Sequence, residues 1–272
     1  MTTTTWDSVY DRCAAGYDPH VGHFAVLGYR LVDLVDPLPG ERVLDVAAGR
    51  GACLFPAAER VGPAGAVHGV DLSEGMVAQL AADIAGRGTA NATAARMDAQ
   101  ALTVAEGSYD RVLCAFALFL MPDPGSAARG FLRALRPGGR CGVSVPMREL
   151  MPGDRAALSE LFRSFALRAG TAAGRRPAFG MDTGRLLADA GFADVRVVEE
   201  DSEFVFADVS AWWEWTWTVN VRSFYERLPA DLLEEFRERA FALLEPAVTR
   251  EGLRATARTR FAVGTRPGGP GM

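Results

Sequence analysis

The stretch Val43-Leu44-Asp45-Val46-Ala47-Ala48-Gly49-Arg50-Gly51 limits what this chain can become more than any other. An apolar run enters a glycine-bearing loop, and a helix-compatible stretch opens at Ala52. Glycine lets a backbone turn sharply and come close to a ligand, where a Cβ would obstruct it. The amides at the start of the following helix then present donors. Twenty-two residues after Gly49, Asp71 closes a second apolar run, Ala66 to Val70. In a parallel sheet an acid there lies across a crevice from the loop, placed to accept hydrogen bonds from both hydroxyls of a ribose.

The rest of the chain supplies the sheet that this arrangement needs. Arg42–Val46, Ala66–Val70, Ala92–Met97, Arg111–Ala115 and Gly142–Val145 read as strands one to five. Helical stretches at Ala52–Val61, Gly75–Arg87 and Gly125–Leu135 lie between them. This alternation predicts βαβ units and a parallel sheet covered on both faces. Pro137-Gly138-Gly139 reads as the turn into strand five. Helices follow over Gly153–Ala169 and Asp182–Ala190. Ala193–Glu199 reads as a sixth strand, residues 208–247 as helical and Thr256–Gly264 as the last strand. The expected architecture is an α/β, Rossmann-like, doubly wound seven-stranded sheet with a helical, tryptophan-rich cap. Its expected parts are an N-terminal helical lid (1–40), an α/β core (41–207), a substrate cap inserted before the last strand (208–250), and that strand with a flexible tail (251–272).

Two ligands suit such a crevice. A nicotinamide dinucleotide fingerprint asks for a third glycine where Leu54 stands. Asp45, ending the first strand, would repel a pyrophosphate. S-adenosylmethionine (SAM) has no phosphate, and its ammonium and sulfonium are favoured by a nearby negative charge. The acid therefore selects SAM.

The ordered set D-x-A-x-G-x-G at 45–51, Gly69-Val70-Asp71-Leu72-Ser73, Arg96-Met97-Asp98-Ala99, Ser108-Tyr109-Asp110-Arg111-Val112 and Leu135-Arg136-Pro137-Gly138-Gly139-Arg140 resembles the class I SAM-dependent methyltransferases. Within them it is most similar to the branch typified by ubiquinone and menaquinone biosynthesis enzymes. The resemblance covers about residues 40–146. It implies that Ala47, Gly49 and Gly51 admit the methionine part of SAM, and that Asp45 holds its amino end directly or through water. It further implies that Asp71 binds the ribose, Leu72 and Met76 flank the adenine, and Met97, Asp98 and Ala99 read the adenine edge. Ala115 and Phe116 line the methionine side. Tyr10 and Tyr17 resemble the tyrosines of a lid over the cofactor, Tyr17 touching SAM and Tyr10 the acceptor.

Other residues bear on the acceptor. Relatives often carry a histidine after strand four, but this chain reads Phe116-Ala117-Leu118-Phe119-Leu120, an apolar mouth in which Phe119 is a candidate acceptor contact. Of three histidines, His68 lies in the second strand and reads as structural. His20 and His23 fall in the lid segment as candidate bases or substrate contacts. Trp212-Trp213-Glu214-Trp215-Thr216-Trp217 offers large apolar area with an N–H on each ring. Helical spacing puts Trp213 and Trp217 on one face, and these two with Asn220 are expected to line the acceptor pocket. Methyl transfer from a sulfonium needs alignment more than proton chemistry, so among C-, N- or O-acceptors positioning is expected to dominate, on an electron-rich carbon or basic nitrogen. A SAM-fold protein with another reaction, such as cyclisation, and a non-catalytic SAM-binding module are the alternatives.

Composition narrows the partners. The net charge is −5 and no basic run occurs, which argues against nucleic acid or an anionic membrane. No 18-residue apolar run or signal core is present, so a cytoplasmic monomer or homodimer acting on a small, aromatic or apolar molecule is expected. Cys13, Cys53, Cys114 and Cys141 lack partner spacing, and no metal is implied. All 29 basic residues are arginine, a composition typical of GC-rich bacteria, where such enzymes decorate secondary metabolites.

Overall fold

A computed structural model describes residues 6–18, 22–148, 150–170 and 179–268. Its strands are β1 (Arg42–Val46), β2 (Ala66–Asp71), β3 (Ala92–Arg96), β4 (Tyr109–Ala115), β5 (Leu135–Pro146), β6 (Met151–Pro152), β7 (Ala193–Phe206), β8 (Val248–Thr249) and β9 (Gly252–Thr265). The helices are α1 (Trp6–Cys13), α2 (His23–Val35), α3 (Leu54–Val61), α4 (Glu74–Arg87), α5 (Pro124–Ala134), α6 (Arg155–Arg168), α7 (Thr183–Asp189), α8 (Val209–Trp217), α9 (Arg222–Tyr225) and α10 (Ala230–Leu244).

The sheet runs β3-β2-β1-β4-β5-β9, with β7 on the far side of β9. The first five strands are parallel, while β9 is antiparallel to both β5 and β7. This is the expected doubly wound arrangement, with a nine-stranded rather than seven-stranded sheet. The two extra strands, β6 and β8, are two-residue pairings onto β9.

Local chemistry sets the helix starts. Asp123, Asp154, Asp182 and Asp208 each accept backbone N–H groups of the helix that follows, and Ser73 does the same for Met76 at the start of α4. Between Tyr109 and Arg111 the β4–β5 register slips. Leu135 pairs with Tyr109 and Arg140 with Arg111, so the Pro137-Gly138-Gly139 turn bulges out inside β5 instead of preceding it.

Two apolar layers cover the sheet. One packs Phe131 of α5 and Leu187 of α7 on Cys114, Val143 and Val145. The other packs Leu27, Leu31 and Val35 of α2 with α3 on Val43, Leu113 and Phe261. Strands β7 and β9 have 14 residues each, twice the length of β4, and run beyond the parallel strands. On that extension Phe206, Leu253 and Ala255 floor a third core containing Phe165 of α6, Trp212 of α8, Tyr225 of α9 and Phe236 of α10. The helical layer is thus drawn from two stretches of chain, α6 after β5 and α8–α10 before β9. No helix among the described residues is long and apolar enough to cross a membrane.

Candidate active site

The C-terminal ends of β1, β2 and β4 converge on one crevice. Asp45, one residue before the end of β1, is 1% exposed, and its Oδ2 has no hydrogen-bond partner among the described residues. Burial, and next the charge of Asp71, push its carboxyl up to about 8. Asp71 ends β2. Its Oδ2 accepts the Gly49 N–H at 2.9 Å and its Oδ1 the Ser73 N–H at 2.9 Å. Burial raises this carboxyl as well. Two acids desolvated side by side, one with an unused oxygen, favour a bound cation.

The loop between them is built to leave room. Ala47, Gly49 and Gly51 all have positive φ, at 55°, 52° and 83°. A Cβ on Gly49 would meet nothing within 4 Å, whereas one on Gly51 would lie 2.6 Å from Phe55 Cε2. Gly49 thus borders open space, and Gly51 is fixed by packing. Ala47 holds the same backbone region without glycine's freedom, as does Phe116 (φ 53°) just beyond β4. Such non-glycine residues carry about 1–3 kcal/mol of strain and gather at ligand sites.

The remaining candidates for the cofactor side lie around this crevice in different settings. Leu72 is 41% exposed beside Asp71. Met97 N–H donates to the Asp71 carbonyl at 2.9 Å, Asp98 accepts the Gln100 N–H, and Ala99 is buried. Ala115 packs in the layer under α2. Met76 is 2% exposed and packs on Val9, Cys13 and Ala14 of the N-terminal segment, so its side chain faces that segment.

That segment covers the acids. The charge of Asp71 raises the hydroxyl pKa of both Tyr10 and Tyr17, after the larger effect of burial. Tyr10 meets Tyr17 edge-on at 6.1 Å, and Tyr17 stacks on Phe24 at 5.1 Å. The Asp11 carboxylate accepts Ser73 Oγ–H at 2.6 Å and the Gly75 N–H at 2.9 Å. Arg50, within the glycine loop, donates to the Ala14 carbonyl at 2.9 Å and pairs with Asp83 at 2.6 Å.

His20 lies outside the described residues. His23 opens α2 at 4% exposure in a box of rings. Phe24 is 4.8 Å away, Phe204 4.6 Å, Phe116 5.7 Å and Trp215 6.0 Å, all edge to face. Asp18 Oδ1 accepts Trp215 Nε1–H at 2.9 Å and Oδ2 accepts the Phe24 N–H at 2.8 Å. His68 pairs with the Tyr109 hydroxyl at 2.9 Å. Both line a groove of about 770 Å³ that includes Arg42 and Ala66, at the starts of β1 and β2 and so at the far end of the strands from the acids.

The structure keeps Trp213 and Trp217 on one face of α8, as the helical spacing predicts, but turns that face into the cap. Trp213 and Trp217 pack on Tyr225 at 4.6 and 4.9 Å, and Trp213 also on Phe236 and Phe241, inside the cap. Trp215 instead turns to His23 and Phe206. Asn220 uses its backbone carbonyl to accept Ser223 N–H and Oγ–H. Phe119 is buried against Phe179 at 5.6 Å. Sequence reasoning passed over Asp11, Asp18, Phe24, Phe204 and Trp215. Only Trp215 carried a signal, as the one tryptophan of its run flanked at two-residue spacing by both Trp213 and Trp217, hence on the opposite side of the helix.

A family model described as a methyltransferase domain matches residues 43–139. Nocamycin O-methyltransferase of Saccharothrix syringae is 37% identical over 238 residues, 82% of this chain and 85% of that one. Aklanonic acid methyltransferase DauC of Streptomyces sp. (strain C5) is 39% identical over 139 residues, 51% of this chain and 63% of its own length. Among solved structures, the [4+2]-cyclase SpnF superposes with a TM-score of 0.54 at 22% identity, covering 90% of this chain and 82% of that one, a likeness of fold alone.

Proposed function

The chain belongs to the class I SAM-dependent methyltransferases, and we propose that it transfers the methyl group to oxygen on a small, apolar or aromatic specialised metabolite. The observation that carries this reading is the juxtaposition of a cation-seeking acid pair with an aromatic box. Asp45 with its unpaired Oδ2 and Asp71 stand at the ends of β1 and β2, while Phe116, just beyond the adjacent β4, meets His23 and Phe24, and His23 in turn meets Phe204. The name of the relative matched over most of its length, an O-methyltransferase, supports oxygen as the acceptor atom.

The residues present fit the cofactor. Asp45 would meet the ammonium, Asp71 the ribose hydroxyls, and the Gly49 face the methionine chain, with Tyr10 and Tyr17 above. When bound, SAM supplies an electrophilic methyl group on a sulfonium. The protein's part is to orient and to exclude water. Alignment of reacting atoms at near-attack distance is worth about 7–11 kcal/mol, and the aromatic walls keep competing water from the methyl group. Phe119, Tyr10 and Asn220 belong to this reading as candidate wall residues of the acceptor side.

The test is calorimetry of the pure protein with S-adenosylhomocysteine (SAH), followed by mass spectrometry of aromatic alcohols and acids incubated with SAM. Binding of SAH and a product heavier by one CH₂ group are expected. No heat with SAH, together with tight binding of a nicotinamide dinucleotide, would sink the assignment of the crevice.

A further inference from the structure

We propose that His23 is the group that recognises the acceptor, by hydrogen-bonding an O–H at the atom to be methylated. The proposal rests on the reading above and adds the residue that selects the acceptor's chemistry. His23 is 4% exposed, and its Nδ1 is buried without a partner among the described residues. A buried polar nitrogen left unpaired costs about 1–3 kcal/mol, so an unpaired one in an otherwise apolar box is suited to a polar ligand atom.

The described neighbours leave Nδ1 unpaired. Phe24, Phe116 and Phe204 offer only ring carbon. Trp215 has spent its Nε1–H on Asp18, and Asp18 has spent both oxygens on Trp215 and on the Phe24 amide. Asp18 is the charged group facing the box, and burial raises its carboxyl towards the neutral form. His23 is likewise held neutral, because burial drives its pKa down to about 4. A neutral imidazole among rings pairs best with a neutral group that can both donate and accept, which is a hydroxyl.

The location matches the chemistry. Phe116, one wall of the box, follows Ala115 at the end of β4, and its backbone N–H donates to Ser144 on β5 at 2.9 Å. Its φ of 53° places it in the left-handed region. The box therefore begins where the cofactor crevice ends. Methylation of the acceptor oxygen would release its proton to solvent with product, and Nδ1 of His23, held neutral by burial, would keep the hydroxyl in place by accepting its hydrogen bond until then.

Probe binding to the SAH complex tests this without knowledge of the natural acceptor. Calorimetry would compare 2-naphthol with 2-methylnaphthalene, its partner of like shape without a hydroxyl. The wild-type complex is expected to bind 2-naphthol about tenfold more tightly. In His23→Phe the two probes should bind equally, with 2-methylnaphthalene held at least as well as by wild type, which shows that the box has survived. His23→Asn should retain part of the preference. Equal binding of both probes by wild type, or a preference that persists in His23→Phe, overturns the inference and leaves the methyltransferase reading standing. Failure of the wild-type SAH complex to bind either probe overturns the aromatic-acceptor reading and the inference with it.

Discussion

Replacing Asp45 by Asn should make the cofactor-free protein more stable and remove most of its affinity for SAH. An aspartate in an unfolded chain titrates near 3.8, and in this fold Asp45 titrates near 8. Between those values the folded state holds a proton that the unfolded state has released. Stability therefore falls as pH rises from about 4 to about 8 and levels off above that. Each pH unit is worth about 1.4 kcal/mol, so wild type should lose up to about 4 kcal/mol between pH 5 and pH 8 through this one carboxyl. An asparagine has nothing to ionise, and the variant escapes that loss. Asp71 is raised by burial in both proteins, so its effect is common to the two. The assay is urea denaturation of SAH-free wild type and variant at pH 5, 6, 7 and 8. The stability gap in favour of Asp45→Asn should widen with pH, and saturating SAH should close it by stabilising wild type alone. A gap that stays constant across the four pH values would refute the reasoning.

Three further outcomes follow from particular contacts. Gly51→Ala forces a Cβ to within 2.6 Å of Phe55 and 2.9 Å of Leu80 at a φ of 83°, and should cost about 2–4 kcal/mol in a thermal melt, with loss of SAH binding. Glu41→Ala strips the partner from Arg111, which is 7% exposed and pairs with Glu41 at 3.1 Å; about 3 kcal/mol should be lost, and Arg111→Met in the same chain should restore part of it. Gly75→Ala sets a Cβ 3.0 Å from the Asp11 carbonyl and 3.1 Å from its Cα, which should loosen α1 and raise its protease sensitivity while the melting temperature shifts by only a few degrees.

The cofactor crevice was legible because its chemistry is contiguous in sequence. Asp45, Gly49 and Gly51 lie within seven residues, and a strand followed by a glycine loop has few folds open to it. Asp71 came with it, since parallel pairing of β1 and β2 sets Asp45 beside Gly69 and carries Asp71 past the end of β1. The proposed acceptor side is assembled from distant segments, and spacing within one helix cannot say which of its faces meets the others. In α8 the face bearing Trp213 and Trp217 was drawn into the cap by Tyr225 and Phe236, so Trp215 was left for the box. Asp18 owes its role to Trp215, 197 residues away, and nothing next to it in the chain announces that bond.

The N-terminal segment joins the two halves of the site. On one side Asp11 holds Ser73 and Gly75, and Arg50 of the glycine loop holds the Ala14 carbonyl. On the other, Arg12 pairs with Glu226 at 2.6 Å, Arg222 donates to the Arg12 carbonyl, and Asp18 binds Trp215. Successive residues of α1, Asp11 and Arg12, thus point to the cofactor loops and to the cap. Exposed ion pairs contribute about 1 kcal/mol or less each, so the cap side of this strap rests on the buried Asp18–Trp215 contact rather than on Arg12–Glu226. Any shift of the glycine loop that moved α1 would reach the aromatic box through Asp18, because the carboxylate that fixes Trp215 also caps the start of α2 at Phe24. The aromatic box and the acid-lined crevice therefore share one wall, made by the segment from Asp11 to Asp18.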